Sequence, residues 1–312
     1  MDRAGHLAAE SDAPDRLICI KVIRRLPAYI ETIGGTGAVQ GRMVPRKFLF
    51  LAAALMLLAT DGRAQVAVDF PASDGVIVYG DSYSPSPSGE VRGTVLLFHQ
   101  SMSNRGEYAT VGERFAQAGY FALAIDQRAG GYRWGLTNQT MQGIGPEASD
   151  RILREGRYAG VLSDLEAALD YAAKRPARPI IVIGSGYSAG LVFLLAARHP
   201  ELVGAVLAFS PAEYFYGISV RDAASRVRCP VFVTAENNAG AIDEARKILD
   251  AVPAAIRVMF RPRHATKGAT MLRRDINPHG GAENWTAVME FLDLLKGHED
   301  EINASVDDVP SH

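Results

Sequence analysis

The sequence predicts an α/β fold in which a mostly parallel central sheet is covered by helices on both faces, and three observations carry this. Short apolar runs recur from about residue 66 onward, longer stretches of helical periodicity lie between them, and one such run passes through a glycine-rich turn directly into an apolar helix. Strand-helix alternation of this kind builds a parallel sheet buried on both sides.

Strands are expected at 75–80, 93–99, 121–125, 179–184, 204–209, 230–235 and 255–260. Helices are expected near 107–118, 160–174, 189–198, 241–251 and 283–296. In the last of these Trp285, Val288, Met289, Phe291, Leu292 and Leu295 recur near the 3.6-residue period. Residues 127–158 break the alternation, with Gly130-Gly131, Gly135, Gly143 and Gly145-Pro146 and no sustained period. A loop of that length in a compact domain points to function. It leaves the carboxyl edge of the sheet, where open α/β sheets bind ligands, and is read as a lid or pocket wall.

The chain has 312 residues, 48% hydrophobic and 22% charged, which suits one globular domain with a sizeable core. A net charge of -2 supplies no basic field for nucleic acid. Met43 opens a basic stretch, Arg46-Lys47, followed by the apolar run Phe48 to Ala59 and the small residues Gly62 and Ala64. That is a signal-peptide layout. As a helix the run reaches about 18 Å, short of a roughly 30 Å hydrocarbon core, so no permanent membrane span is expected in the mature form. The expected organisation is an N-terminal extension at 1–42 with no clear period, a signal peptide at 43–64, a domain at 65–298 and a polar tail at 299–312. Periplasmic or secreted placement follows, with Gln65 as the first mature residue. Cys229 is then the one cysteine of the mature part and reads as a buried structural thiol.

The sharpest chemical signal is Gly186-Tyr187-Ser188-Ala189-Gly190, after the strand Pro179 to Ile183 and before the helix Leu191 to Arg198. A G-x-S-x-G sequence in this setting places a serine on a strained strand-to-helix turn that lifts its hydroxyl above the sheet. Ser188 is the expected nucleophile. With Leu96-Leu97-Phe98-His99-Gln100-Ser101 and Gly119 to Arg128, the chain resembles the α/β-hydrolase superfamily and, within it, the dienelactone-hydrolase-like esterases, over most of residues 75–296. The resemblance implies an oxyanion hole from the backbone N–H groups of Ser101 and Ala189, although Gln100 stands where the superfamily usually has glycine. Each donor of such a pair is typically worth about 10²–10³ in rate.

A serine hydroxyl needs a base. The order nucleophile, acid, histidine favours His264, after the last strand, with His279 as the runner-up; His99 is expected to order its own loop. For the acid, Glu236 ranks first. Asn238 follows, in the slot where related hydrolases carry Asp, and then Asp243. The implied activity is hydrolysis of a carboxylic ester, lactone or similar acyl bond of a small-molecule substrate, with no metal or organic cofactor. A peptidase or acyltransferase on the same fold is an alternative, as is a catalytically silent homologue that binds a ligand. The missing Asp and Gln100 speak for the silent homologue.

Overall fold

The computed structural model describes residues 65–155 and 158–307. The expected extension and signal peptide, 1–64, lie outside the described residues. Ten strands and eight α-helices are described, in the order β1 (Val66–Pro71), β2 (Ile77–Tyr83), β3 (Gly93–Phe98), α1 (Ala109–Gln117), β4 (Tyr120–Ile125), β5 (Tyr132–Arg133), β6 (Leu136–Thr137), α2 (Gln139–Ile144), α3 (Pro146–Arg154), α4 (Tyr158–Ala173), β7 (Ile180–Ser185), α5 (Tyr187–Arg198), β8 (Val203–Phe209), α6 (Val220–Ala224), β9 (Val231–Thr234), α7 (Ala239–Asp250), β10 (Arg257–Phe260) and α8 (Gly281–Asp307). Eight strands form one sheet in the order β1-β2-β4-β3-β7-β8-β9-β10. β1 and β2 pair antiparallel, as do β2 and β4, and every other neighbouring pair is parallel.

The continuous apolar runs follow from burial on both sides of the sheet. β3, β4 and β7 are buried at every position. The two-residue alternation of a strand then divides each run between two cores. Leu96, Phe98, Leu123, Ile180 and Val182 face one core with Val161, Leu165, Phe193 and Ile248 of α4, α5 and α7. Val95, Leu97, Ala122, Ile181 and Ile183 face the other with Val111 and Phe115 of α1 and Val288 and Phe291 of α8. Phe193 is fully buried, and truncating such a side chain to alanine costs about 3–5 kcal/mol.

Several expectations change. β1 was not expected, because its burial is uneven and it is held mainly by the hairpin with β2. The helix after β7 begins at Tyr187 and not at 189. The final helix, expected over 283–296, runs from Gly281 to Asp307. The segment 127–158 holds the small hairpin β5–β6 and the helices α2 and α3.

That segment is docked by buried polar groups. Arg128, just after β4, donates from its backbone N–H to Asp164 Oδ2 at 2.7 Å and from Nε to Asp164 Oδ1 at 2.9 Å, while its guanidinium also reaches Asp74 at 2.5 Å. Burial works against the Arg128 charge, but the two carboxylates outweigh it and hold its pKa above the usual arginine value. Asn104 Nδ2 donates to the carbonyls of Arg133 and Leu136, each at 2.8 Å, and Trp134 Nε1 to Ser103 Oγ at 3.0 Å. These bonds tie the described residues of the segment to the loop after β3 and to α4.

Candidate active site

The site begins with the turn between β7 and α5, which a single residue completes. Gly186 has φ 53° and ψ −113°. Its N–H donates to the Phe209 carbonyl at 2.8 Å, and its own carbonyl accepts from Ala189 N at 2.9 Å. Positive φ of this kind strains any residue with a side chain. The sequence places that strain on Ser188; in the structure it falls on Gly186, two residues earlier.

The small residues flanking the turn are therefore Gly184 and Ser188. A Cβ on Gly184 would lie 2.5 Å from the Ser188 carbonyl carbon, so the first turn of α5 crosses the strand end at a distance only glycine allows. Gly190 serves a different contact, since a Cβ there would lie 2.9 Å from the Phe215 ring.

Ser188 is the second residue of α5 and has no solvent exposure. Its Oγ donates to the His99 carbonyl at 2.6 Å, and the Gln127 amide lies against it, with Nε2 at 2.8 Å and Oε1 at 3.1 Å. His99 follows β3 and is itself buried. Burial lowers its pKa. The imidazole is neutral, its Nδ1 donating to the Gln100 carbonyl at 2.7 Å and its Nε2 accepting from Gln127 N at 2.9 Å. His99 thus organises its own loop, as expected. The Ser188 hydroxyl becomes part of a polar knot joining the ends of β3 and β4 to α5.

Of the two expected oxyanion donors, Ala189 N is occupied by the Gly186 carbonyl. Ser101 is half-buried in the turn after Gln100. Gln100 N donates to Glu107 Oε2 at 3.2 Å, and Glu107 is wholly buried with Oε1 unpartnered among the described residues.

Glu236 does reach the carboxyl edge, but its partner is a hydroxyl. Ser210 Oγ donates to Glu236 Oε2 and accepts from Gly268 N at 3.0 Å. Ser210 directly follows β8 with φ 59°, a second strained residue on the same edge. Ala269 N donates to Ser185 Oγ at 2.8 Å, which seats the Gly268 turn against the β7 end. A Cβ on Gly268 would approach Gly186 N to 3.5 Å, so Gly186, Gly268, Ser210 and Glu236 are contiguous.

Asn238 and Asp243 have local duties. Asn238 caps α7 through Oδ1, accepting from Gly240 N at 2.9 Å and Ala241 N at 3.2 Å. Asp243 is exposed and pairs with Lys247 at 2.7 Å, one helical turn on. His264 and His279 are exposed, with ring centroids 5.9 Å apart. They line a groove of about 430 Å³ with Phe260, Arg263, Glu283 and Glu290. Among the described residues no imidazole nitrogen bonds Ser188 Oγ, and none bonds Glu236. The expected Ser188–His264–Glu236 relay is not assembled.

Gln127, Glu107 and Ser210 escaped the sequence reading. Ser210-Pro211 directly after an apolar strand was a signal for Ser210; the other two needed the fold. Cys229 is half-buried, and burial pushes its thiol up to about 12, in keeping with a structural role. Among the described residues no group of three or more His, Cys, Asp or Glu side chains is arranged to hold a metal, and no helix is long and apolar enough to cross a membrane.

Residues 81–292 match the model of the dienelactone hydrolase family. A monoacylglycerol lipase of Mycolicibacterium smegmatis is 31% identical over 145 residues, 46% of this chain and 45% of the lipase, so the match spans less than half of that relative. Among solved structures, a dienelactone hydrolase from Anabaena variabilis superposes with a TM-score of 0.56 at 22% identity, covering 73% of this chain and 95% of its own. A cold-adapted esterase from an Arctic intertidal metagenomic library gives 0.50 at 21% identity, covering 62% and 82%. At these identities the structural likeness establishes the α/β-hydrolase fold. The sequence matches support a hydrolase. The chain belongs to the dienelactone hydrolase family.

Proposed function

We propose that this chain acts on small carboxylic esters or lactones as a hydrolase, binding them at the carboxyl edge of the sheet over the turn from β7 to α5. The observation that carries the reading is that turn: a positive-φ residue, Gly186, between a buried parallel strand and a helix N-terminus, on the edge where α/β sheets take ligands. The family match encloses the whole edge, and relatives named as a lipase and an esterase supply the substrate class.

Attack by Ser188, the route the sequence suggests, requires its hydroxyl to leave the His99 carbonyl and turn outward from a buried helical position. That requirement favours a second reading, a homologue that binds the acyl compound without turning it over. One experiment separates the two. The purified chain is given p-nitrophenyl acetate and butyrate, and binding of a non-hydrolysable ketone or amide analogue is measured by calorimetry. Turnover above the buffer rate supports the hydrolase, binding without turnover supports the silent homologue, and neither effect removes both.

Export to the periplasm or beyond is part of the proposal and rests on the layout of residues 43–64. Recovery of the protein in the cytoplasm alone would overturn export, and an exported form with residue 1 intact would overturn cleavage before Gln65.

A further inference from the structure

We infer that the point at which this fold presents a reacting side chain is position 186, where the chain carries glycine, and that Ser188 is a packing hydroxyl and not a nucleophile. The inference rests on reading the β7–α5 edge as an acyl site; of the two readings above it sides with the homologue that binds the acyl compound without turnover, and it adds which residue faces the acyl group.

Three observations converge. The first is conformational: the strained residue of a strand-to-helix turn is the one whose side chain is lifted clear of the sheet, and here it is Gly186, with φ 53° and ψ −113°. The second is spatial. A Cβ built on Gly186 meets one atom within 4 Å, Gln100 Cβ at 3.4 Å, an ordinary van der Waals contact, whereas a Cβ on Gly184, Gly190 or Gly268 runs into backbone or side-chain atoms at closer range. Glycine at 184, 190 and 268 is thus imposed by crowding. Glycine at 186 is not: the residue is buried, yet the space a Cβ would take is open and its backbone alone is demanding. The third is the fate of Ser188, whose Oγ is fully buried and already committed to the His99 carbonyl and the Gln127 amide.

The site around position 186 is otherwise furnished. Gln100 stands over it, Gly268 lies beside its N–H, and Ser210 and Glu236 follow along the edge. A small ester seated here would place its carbonyl carbon over the Gly186 Cα, where no side-chain atom attacks it. A thiol supplied at this position would have that carbon in reach: the thiolate sulfur bonds to the acyl carbon, the ester C–O bond breaks, and the alkoxide or phenolate leaves with the electron pair, an alkoxide then taking a proton from water.

The test compares Gly186→Cys with Ser188→Cys in the folded full-length chain, using iodoacetamide followed by peptide mapping, so that Cys19 and Cys229 are scored separately. Thermal unfolding is recorded for each. Position 186 is expected to be alkylated faster than position 188 by about 10²-fold or more, the protection a buried group gains when reaction requires the fold to open. Equal or faster alkylation at 188 would overturn the inference. So would mapping of a fluorophosphonate adduct to Ser188 in the unmodified chain, a measurement that stands even where the strained Gly186→Cys substitution prevents folding.

A p-nitrophenyl acetate arm separates the inference from the substrate reading. Acetylation of the Gly186→Cys variant at position 186, alongside fast alkylation there, supports both. Fast alkylation with no acetylation sinks the ester substrate while leaving position 186 as the point where a side chain has room to react.

Discussion

Ser188 Oγ donates a 2.6 Å hydrogen bond to the carbonyl oxygen of His99, tying the first turn of α5 to the end of β3 beneath the surface. A hydroxyl in that position stabilises the junction by satisfying a carbonyl that water cannot reach. Ser188→Ala is therefore expected to lower stability by about 1–3 kcal/mol, the typical cost of a buried polar group left without its partner. The unfolding midpoint should fall by several degrees for a domain of this size. A stability equal to that of the parent would show that the bond contributes nothing.

Gly184 and Gly186 should respond differently to alanine. At 184 the added methyl meets the Ser188 backbone, which cannot move without displacing α5. At 186 it meets only Gln100 Cβ at contact distance, and the cost is the backbone strain of a non-glycine residue at positive φ, on the order of 1–3 kcal/mol. Urea unfolding of both variants should rank Gly184→Ala as the more damaging. The reverse order would mean that α5 can slide away from β7.

The docking of 127–155 should depend on Arg128. Replacing it with alanine leaves the fully buried Asp164 carboxylate without its principal partner, a change that costs about 3–5 kcal/mol for a buried pair. Burial already pushes Asp164 up to about 6 against the pull of Arg128, so the unpaired acid will take up a proton near neutrality. Limited proteolysis should find new cuts within 127–158. An unchanged digestion pattern would mean that Asn104 and Trp134 hold the segment unaided.

The buried neutral His99 gives the fold a slope with pH. Burial lowers its pKa in the folded state, so below about 6.5 the unfolded chain binds the extra proton more readily. The stability this residue contributes is complete above about 6.5 and is lost as pH falls towards its depressed folded value. Thermal unfolding between pH 7.5 and 5 should show a falling midpoint, with a shallower slope in His99→Gln. Parallel slopes would assign the effect to other groups.

Much of this architecture was legible in the chain. The runs Val95 to Phe98, Phe121 to Ile125 and Ile180 to Ile183 admit little but a sheet buried on both faces, and Phe291 and Leu292 mark the helix that covers one of them. The register of the β7–α5 turn was harder to read. Gly184-Ser185-Gly186-Tyr187-Ser188 and Gly186-Tyr187-Ser188-Ala189-Gly190 both alternate small residues, and the choice depends on where the helix begins. Starting it at 189 puts the bend on Ser188; starting it at Tyr187 puts the bend on Gly186. Tyr187 has no strong intrinsic helical preference, and the packing of α5 against β7 and β8 decides the matter. Glu236 was readable as an acid on the right edge, because a residue just past a parallel strand must emerge there. Its bond to Ser210 depends on a loop 26 residues away and had no local signature.

The first strand carries a consequence beyond the hairpin it completes. β1 ends the sheet, so its outer margin is a row of backbone donors and acceptors that a strand from another molecule could adopt. Asp69 and Pro71 fall within its six residues, and Pro71 has no N–H to offer an incoming strand. A charge and a missing donor on so short a margin guard against end-to-end growth into fibrils. Asp69→Val with Pro71→Val should therefore raise the tendency to form thioflavin-positive aggregates on mild heating, with the unfolding midpoint little changed.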